Sequence, residues 1–187
     1  MKIKVRQTSI KGLIVIEPHV FRDGRGYFFE SFNAREFAEA TGLQVSFVQD
    51  NQALSQYGVL RGLHFQLPPH SQAKLVSVVR GKVLDVAVDL RKGSPTYGRY
   101  EAVELSEDNH LQVYIPHGFA HGYLVLSETA LFQYKCDSFY APSSEGGLAW
   151  DDPDIGIEWP IDRREILLSE KDSKRGLLID FDTPFKY

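Results

Sequence analysis

Two of the six histidines sit where a strand could put them to chemical use: His64 in Gly62-Leu63-His64-Phe65-Gln66, and His121 at the end of Pro116-His117-Gly118-Phe119-Ala120-His121. Along 60–66, strand alternation puts Leu60, Gly62, His64 and Gln66 on one face and Arg61, Leu63 and Phe65 on the other. Lys74 shares a face with Val76 and Val78, so it points into a core cavity or sits at its rim. A buried ammonium is costly without an anion or a developing negative charge beside it. Tyr134 falls on a face with Ala130, Phe132 and Cys136, an inward-looking position. Each residue alone also has a structural reading. A lone strand histidine serves as a hydrogen-bonded core residue, and a tyrosine serves as a core aromatic whose hydroxyl finds a backbone partner. Together they supply a base, a cation and a proton donor. Removing a proton beside a carbonyl needs a base near neutrality, which imidazole is. It also needs a positive group for the enolate oxygen. Returning the proton from the opposite face needs a separate acid, and a phenol suits. That set of parts describes an epimerisation, which requires no cofactor.

The elements that must position these groups read as β structure. Val/Ile/Leu and aromatic runs between Gly and Pro signals predict strands near 3–8, 13–17, 45–50, 59–66, 99–105, 111–115, 122–126 and 129–137. The clearest stretch is Lys74 to Val79, a turn at Arg80-Gly81-Lys82, and a return from Val83 to Leu90. In that return Leu84, Val86, Val88 and Leu90 share one face and Asp85 and Asp89 the other. One helix is predicted after Asn33 as cap, with Glu36 three residues on, a stop at Gly42, and Phe37, Ala40 and Ala34 as its buried stripe. After Pro142 the chain becomes a Gly-, Asp- and Pro-rich wrap. Short strands at this spacing, with no helices through the middle, imply an all-β sandwich or jelly roll. At 187 residues the chain suits one domain. Its net charge of −4 argues against nucleic acid as partner. The lone Cys136 allows no internal disulfide, and no apolar run approaches a membrane span, so a cytoplasmic location is expected.

The Gly-x-His-x-Gln strand, followed about fifty residues later by Pro-x-Gly-x-x-His, resembles the two cupin motifs. Metal-binding cupins carry a second histidine where this chain has Gln66, and a carboxylate downstream where 67–73 offers none. An amide is a poor substitute for imidazole on a transition metal, so no metal is expected. His70 as a stand-in ligand is disfavoured by the two prolines between it and the strand. Further blocks run the length of the chain: Arg22 to Ser31, Gln49-Asp50-Asn51, Val59 to Gln66, Gln72 to Val76, Asp85 to Arg91, Ser94 to Gly98, Glu145-Gly146, Trp150 to Pro153 and Leu168 to Asp172. Jointly they are similar to the dTDP-4-dehydrorhamnose 3,5-epimerase family. The resemblance implies a cupin-type jelly roll (double-stranded β-helix) with a few short helices. It divides 1–187 into N-terminal strands and one helix (1–50), a jelly-roll core (51–140) and a C-terminal wrap (141–187) carrying Asp172. It implies His64 as general base paired with Asp172, Lys74 at the enolate oxygen, and Tyr134 as the opposing acid. Substrate contacts map onto Arg25, Glu30, Gln49, Asp50, Asn51, Arg61, Lys74, His121, Glu145 and Lys171. By position alone Asp172 reads as a solvated loop charge, Arg25 and Glu30 as a turn pair, and Arg61 as a surface strand charge. The implied reaction is cofactor-free conversion of dTDP-4-dehydro-6-deoxy-D-glucose to dTDP-4-dehydro-L-rhamnose in a homodimer with exchanged N-terminal strands, which would let Arg25 and Glu30 complete a neighbour's site. The alternatives are a relative inverting one carbon of a dTDP-4-keto-6-deoxysugar, a metal-dependent cupin enzyme, and a non-catalytic sugar-nucleotide binding module.

Overall fold

The computed structural model describes residues 3–187. Thirteen strands and one α-helix follow in chain order: β1 Lys4–Gln7, β2 Ile14–Glu17, β3 Phe21–Asp23, β4 Gly26–Phe28, α1 Ala34–Thr41, β5 Gln49–Gln56, β6 Leu60–Gln66, β7 Lys74–Arg80, β8 Lys82–Asp89, β9 Tyr100–Ser106, β10 Gln112–Ile115, β11 Phe119–Val125, β12 Thr129–Cys136 and β13 Glu145–Gly147. The eight strands β5 to β12 form a jelly roll, in the orders β5-β12-β7-β10 and β6-β11-β8-β9, all antiparallel. β2 and then β1 extend the first sheet beyond β10, and β13 extends the second beyond β6. β3 and β4 pair as a separate hairpin.

Three apolar layers follow. Between the sheets lie Val76 and Val78 of β7, Val83 and Ala87 of β8, Phe119 and Tyr123 of β11, and Ala130 and Phe132 of β12. The outer face of the first sheet packs Ile14, Ile16, Leu75 and Tyr114 against Phe37 of α1. The outer face of the second packs Leu63, Phe65, Val86, Val88 and Leu90 against Leu148, Ile155, Leu178 and Phe185 of the C-terminal wrap. β8 is therefore covered on both faces, so its alternation does not separate core from solvent. Asp85 is 2% exposed and looks between the sheets, while Asp89 is bound by Arg91, Ser94 and Thr96.

The predicted cap and stop of α1 are in place. Asn33 accepts from the backbone N–H groups of Arg35 and Glu36, and Gly42 takes a left-handed conformation. Its predicted stripe is narrower than expected, because Phe37 is buried while Ala34 and Ala40 are exposed. The strand expected at 45–50 begins instead at Gln49. Leu43, Val45 and Phe47 do alternate into the helix cluster, but as extended chain outside the named ladders.

One local feature moves a charged residue from one face to the other. β11 pairs His121 with His64 and Tyr123 with Arg61, so two residues on β11 span three on β6. This bulge puts Arg61 on the same face as His64, where strict alternation had placed it opposite. Gly62 makes it possible: its φ is +137°, and a Cβ there would lie 2.5 Å from the Cα of Gly122. Replacing Gly62 with alanine is expected to destabilise the fold by about 2–4 kcal/mol, from strained backbone plus overpacking. Urea unfolding would measure this; a change below about 0.5 kcal/mol would show that the bulge tolerates a side chain.

Candidate active site

The two sheets part at one end into a cleft of about 320 Å³, lined by Gln49, Asn51, His64, Gln66, Gln72, Lys74, Tyr134, Tyr140 and Glu145. A second cleft of about 440 Å³ shares His64 and Glu145 with it and adds Arg61, Leu168, Lys171 and Asp172. His64 belongs to one sheet, whereas Lys74 and Tyr134 belong to the other. The imidazole and the phenol therefore approach the cleft from facing walls.

His64 Nε2 lies 2.6 Å from Asp172 Oδ1. Asp172 sits in a single 3-10 turn, Asp172–Lys174, with its side chain only 6% exposed. Burial alone would raise its pKa, but hydrogen bonding and charge from His64 outweigh this and hold the carboxyl below its usual range. An ionised carboxylate on one ring nitrogen fixes the tautomer and favours the imidazolium once it forms.

The Lys74 ammonium lies 5.7 Å from the centroid of the Tyr134 ring. Among the described residues no carboxylate is within ion-pair distance of it. Burial pushes its pKa down, opposed by the more distant Cys136, Asp85 and Glu145. Among the described residues it is the one lysine or arginine lining this cleft. Burial also pushes the Tyr134 phenol up to about 12, so it stays protonated and ready to donate.

Behind this wall His121 Nε2 lies 2.7 Å from Asp85 Oδ2, both side chains buried. Burial lowers the His121 pKa, opposed by Asp85, which favours the neutral ring. Glu145 is a second hub: Tyr140 Oη donates to its Oε2 at 2.7 Å, and Lys171 Nζ and Arg175 Nη2 each lie 2.6 Å from Oε1. Burial opposes its ionisation, but these three partners win and bring its pKa down to about 2.

Gln66, at the position of a cupin ligand, has both ends of its amide committed. Its Nε2 donates to the carbonyls of His70 and Phe139, and its Oε1 accepts from Ala141 N–H. It clamps the loop bearing Tyr140 to β6. His70 itself is exposed.

Of the residues singled out in the sequence, Gln49, Asn51, His64, Lys74, Tyr134 and Glu145 share the first cleft, and Arg61, Lys171 and Asp172 share the second. His121 is paired with His64 across the strands. Asp50 points elsewhere, ion-paired with Lys135 at 2.9 Å. Arg25 is paired with Asp23 on the exposed hairpin, and Glu30 accepts from Asn33 Nδ2; neither reaches the cleft of its own chain. Asp85, Gln72, Tyr140 and Arg175 were given no role in the sequence. Alternation set Asp85 opposite the apolar face of its strand and gave no sign that it looks inward.

Residues 7–180 match the family described as dTDP-4-dehydrorhamnose 3,5-epimerase. The enzyme of that name from Shigella flexneri is 51% identical over 96% of this chain and 98% of its own length. The crystal structure of the Elizabethkingia anophelis enzyme superposes with a TM-score of 0.93 at 51% identity, covering 98% of this chain and 100% of that one. A 3,5-epimerase from Legionella pneumophila, in complex with dTDP-4-keto-L-rhamnose, superposes with a TM-score of 0.95 at 46% identity, covering 99% of this chain and 98% of that one.

Proposed function

The chain belongs to the dTDP-4-dehydrorhamnose 3,5-epimerase family, and on that premise we propose how its cleft carries out the reaction. The protein is an isomerase that converts dTDP-4-dehydro-6-deoxy-D-glucose to dTDP-4-dehydro-L-rhamnose, inverting C3 and C5. His64 removes the proton from the carbon beside the C4 ketone, and the C–H electron pair moves onto the ketone oxygen. Lys74 meets the negative charge that develops there, in surroundings where an unpaired ammonium acts strongly. Tyr134 then gives its phenolic proton to the other face of the same carbon. Solvent restores the phenol and takes the proton from His64, so each inversion exchanges one proton. Asp172 holds the His64 ring through both halves of the cycle. The observation that carries this reading is the placement of His64 on one sheet and of Tyr134 and Lys74 on the facing one.

Arg61 and Lys171, beside the base, are assigned to the diphosphate, for which a guanidinium fork is well shaped. Gln49, Asn51, His121 and Glu145 are assigned to the sugar and nucleoside, whereas Asp50, ion-paired with Lys135 away from the cleft, is given no substrate contact. Arg25 and Glu30 are assigned to the site of a second copy. The exposed Phe21, Tyr27 and Phe28 of their hairpin would be covered in such a homodimer. The N-terminal strands and helix, the jelly roll and the wrap are taken as one functional domain, since the base and Asp172 come from different segments. Among the described residues no helix is long and apolar enough to cross a membrane. A cytoplasmic location is proposed on the nature of the nucleotide-sugar substrate and the free, buried thiol of Cys136. The metal-dependent alternative is disfavoured by Gln66, whose amide is already bonded to three backbone groups.

Turnover in deuterated water, followed by NMR of the product, tests the reading. Deuterium is expected at both C3 and C5 with both centres inverted. Label at one carbon only would replace it with the single-inversion alternative, and folded protein that binds substrate without label uptake would end the epimerase reading.

A further inference from the structure

We infer that Arg175 is a positioning residue for the proposed base: it ties Asp172 to Glu145 and sets how strongly the carboxylate of Asp172 is felt by His64. The inference deepens the function proposed above and rests on His64 and Asp172 being its base pair.

Arg175 follows the 3-10 turn that carries Asp172, and its side chain is 12% exposed. One arm of the guanidinium, Nη2, lies 2.6 Å from Glu145 Oε1. The Nε side faces Asp172 Oδ1 at 3.8 Å, within ion-pair range but too long for a hydrogen bond. That Nε is buried and has no hydrogen-bond partner among the described residues. The oxygen it faces is the one that His64 Nε2 holds at 2.6 Å. Imidazole and guanidinium thus address a single carboxylate oxygen, and the imidazole has it.

The slot for the guanidinium is built by the strand beside the base. A Cβ on Gly147 would come 2.7 Å from Arg175 Nε and 3.0 Å from its Cδ. Gly147 is the residue of β13 paired with His64 on β6. Glycine at that position lets a cation lie level with the base, screened from solvent.

The charge has a definite consequence. A guanidinium beside Asp172 offsets part of the carboxylate's pull on an imidazolium and also repels the imidazolium directly. Both effects keep the protonated base from being over-stabilised, so it can release its proton within each cycle. Other charged or titratable groups also surround His64. Arg61 lies on its own strand, Glu145 on β13, and His121 on β11 with Asp85 of β8 behind it. Across the cleft are Lys74 on β7 and Tyr134 on β12, and Lys171 lies in the wrap. Arg175 differs from the other cations in reaching both Asp172 and Glu145.

A clamp that merely fastens the wrap to β13 would use the same Glu145 contact, so the deciding readout is the pH profile of kcat/KM for the full-length enzyme on the dTDP ketosugar. With Arg175→Met, kcat/KM near neutrality is expected to fall about threefold or more. The acidic limb of the profile, where the base is lost to protonation, should move to higher pH by about half a unit or more. Arg175→Lys should bring the limb back toward that of the wild type. Should Arg175→Met fail to fold, the neutral, polar Arg175→Gln is expected to show the same displaced limb. A folded Met or Gln variant with a lowered Tm but an unmoved limb would overturn the inference and leave Arg175 a structural clamp, with the wild-type chemistry untouched. An acidic limb that survives unchanged in His64→Asn would bring down the base assignment, and the Arg175 inference with it.

Discussion

Replacing His64 with asparagine is expected to lower kcat by roughly 10³- to 10⁴-fold, the upper part of the range for a positioned general base. In free energy this is about 4–5 kcal/mol of transition-state stabilisation. Asparagine is the informative choice. Its amide is too short to take the place of Nε2, but the buried carboxylate, 6% exposed, keeps the Ser169 hydroxyl and the Gly62 backbone N–H as partners. The β6 pairing and the Gly62 bulge involve backbone and are untouched. Substrate affinity measured by calorimetry should therefore stay within about threefold of wild type, and the Tm within about 3 °C, a shift of less than 1 kcal/mol. Deuterium uptake at both carbons should vanish together. A non-catalytic binding module would show no difference between the two proteins, because neither would take up label. An Asn variant that turned over at the wild-type rate would move the base elsewhere in the cleft.

What could be read from the sequence divides along a physical line. The β7–β8 hairpin was legible because one face of β7 alternates and Gly81 supplies the turn at φ +80°. The cap of α1 was legible because Asn33 and Gly42 act through local chemistry. Lys74 and Tyr134 could be placed inward because their strands carry apolar neighbours at even spacing. β5 was misplaced because Gln49–Gln56 is a polar edge strand, held by its ladder to β12 rather than by β-forming side chains. The side on which Arg61 lies depends on a single extra residue in one strand, and alternation carries no sign of that. Asp85 hides in β8, which is buried on both faces, so a carboxylate there can be recognised as internal only once the wrap is seen to cover the outer face. Asp172 is 108 residues from His64, and its immediate neighbours are the charged residues of an exposed turn. Nothing local distinguishes it; the family resemblance supplied it. Arg175 was missed for the same reason, since its partners Glu145 and Asp172 meet only after the wrap has folded back on β13.

Replacing Tyr134 with phenylalanine should separate the two halves of the reaction. The phenyl ring keeps the packing against Phe132, 6.1 Å away, and the position over which Lys74 sits. The hydroxyl makes no hydrogen bond among the described residues, so its removal orphans no buried group and stability should change by less than about 1 kcal/mol. His64, Asp172 and Lys74 are left in place to remove the proton and hold the enolate. The protein is then expected to exchange the substrate proton for solvent deuterium, because the imidazole can lose its proton to water and return a deuteron to the same face. Inversion should fall by about 10²- to 10³-fold, because no acid remains on the opposite wall. NMR of recovered ketosugar should show deuterium with retained configuration, a combination that a general loss of activity would not produce. Normal inversion by Tyr134→Phe would show that the second proton comes from another group or from water. Loss of exchange along with inversion would show that the phenol is needed before the enolate forms, and would remove the division of labour between the two sheets.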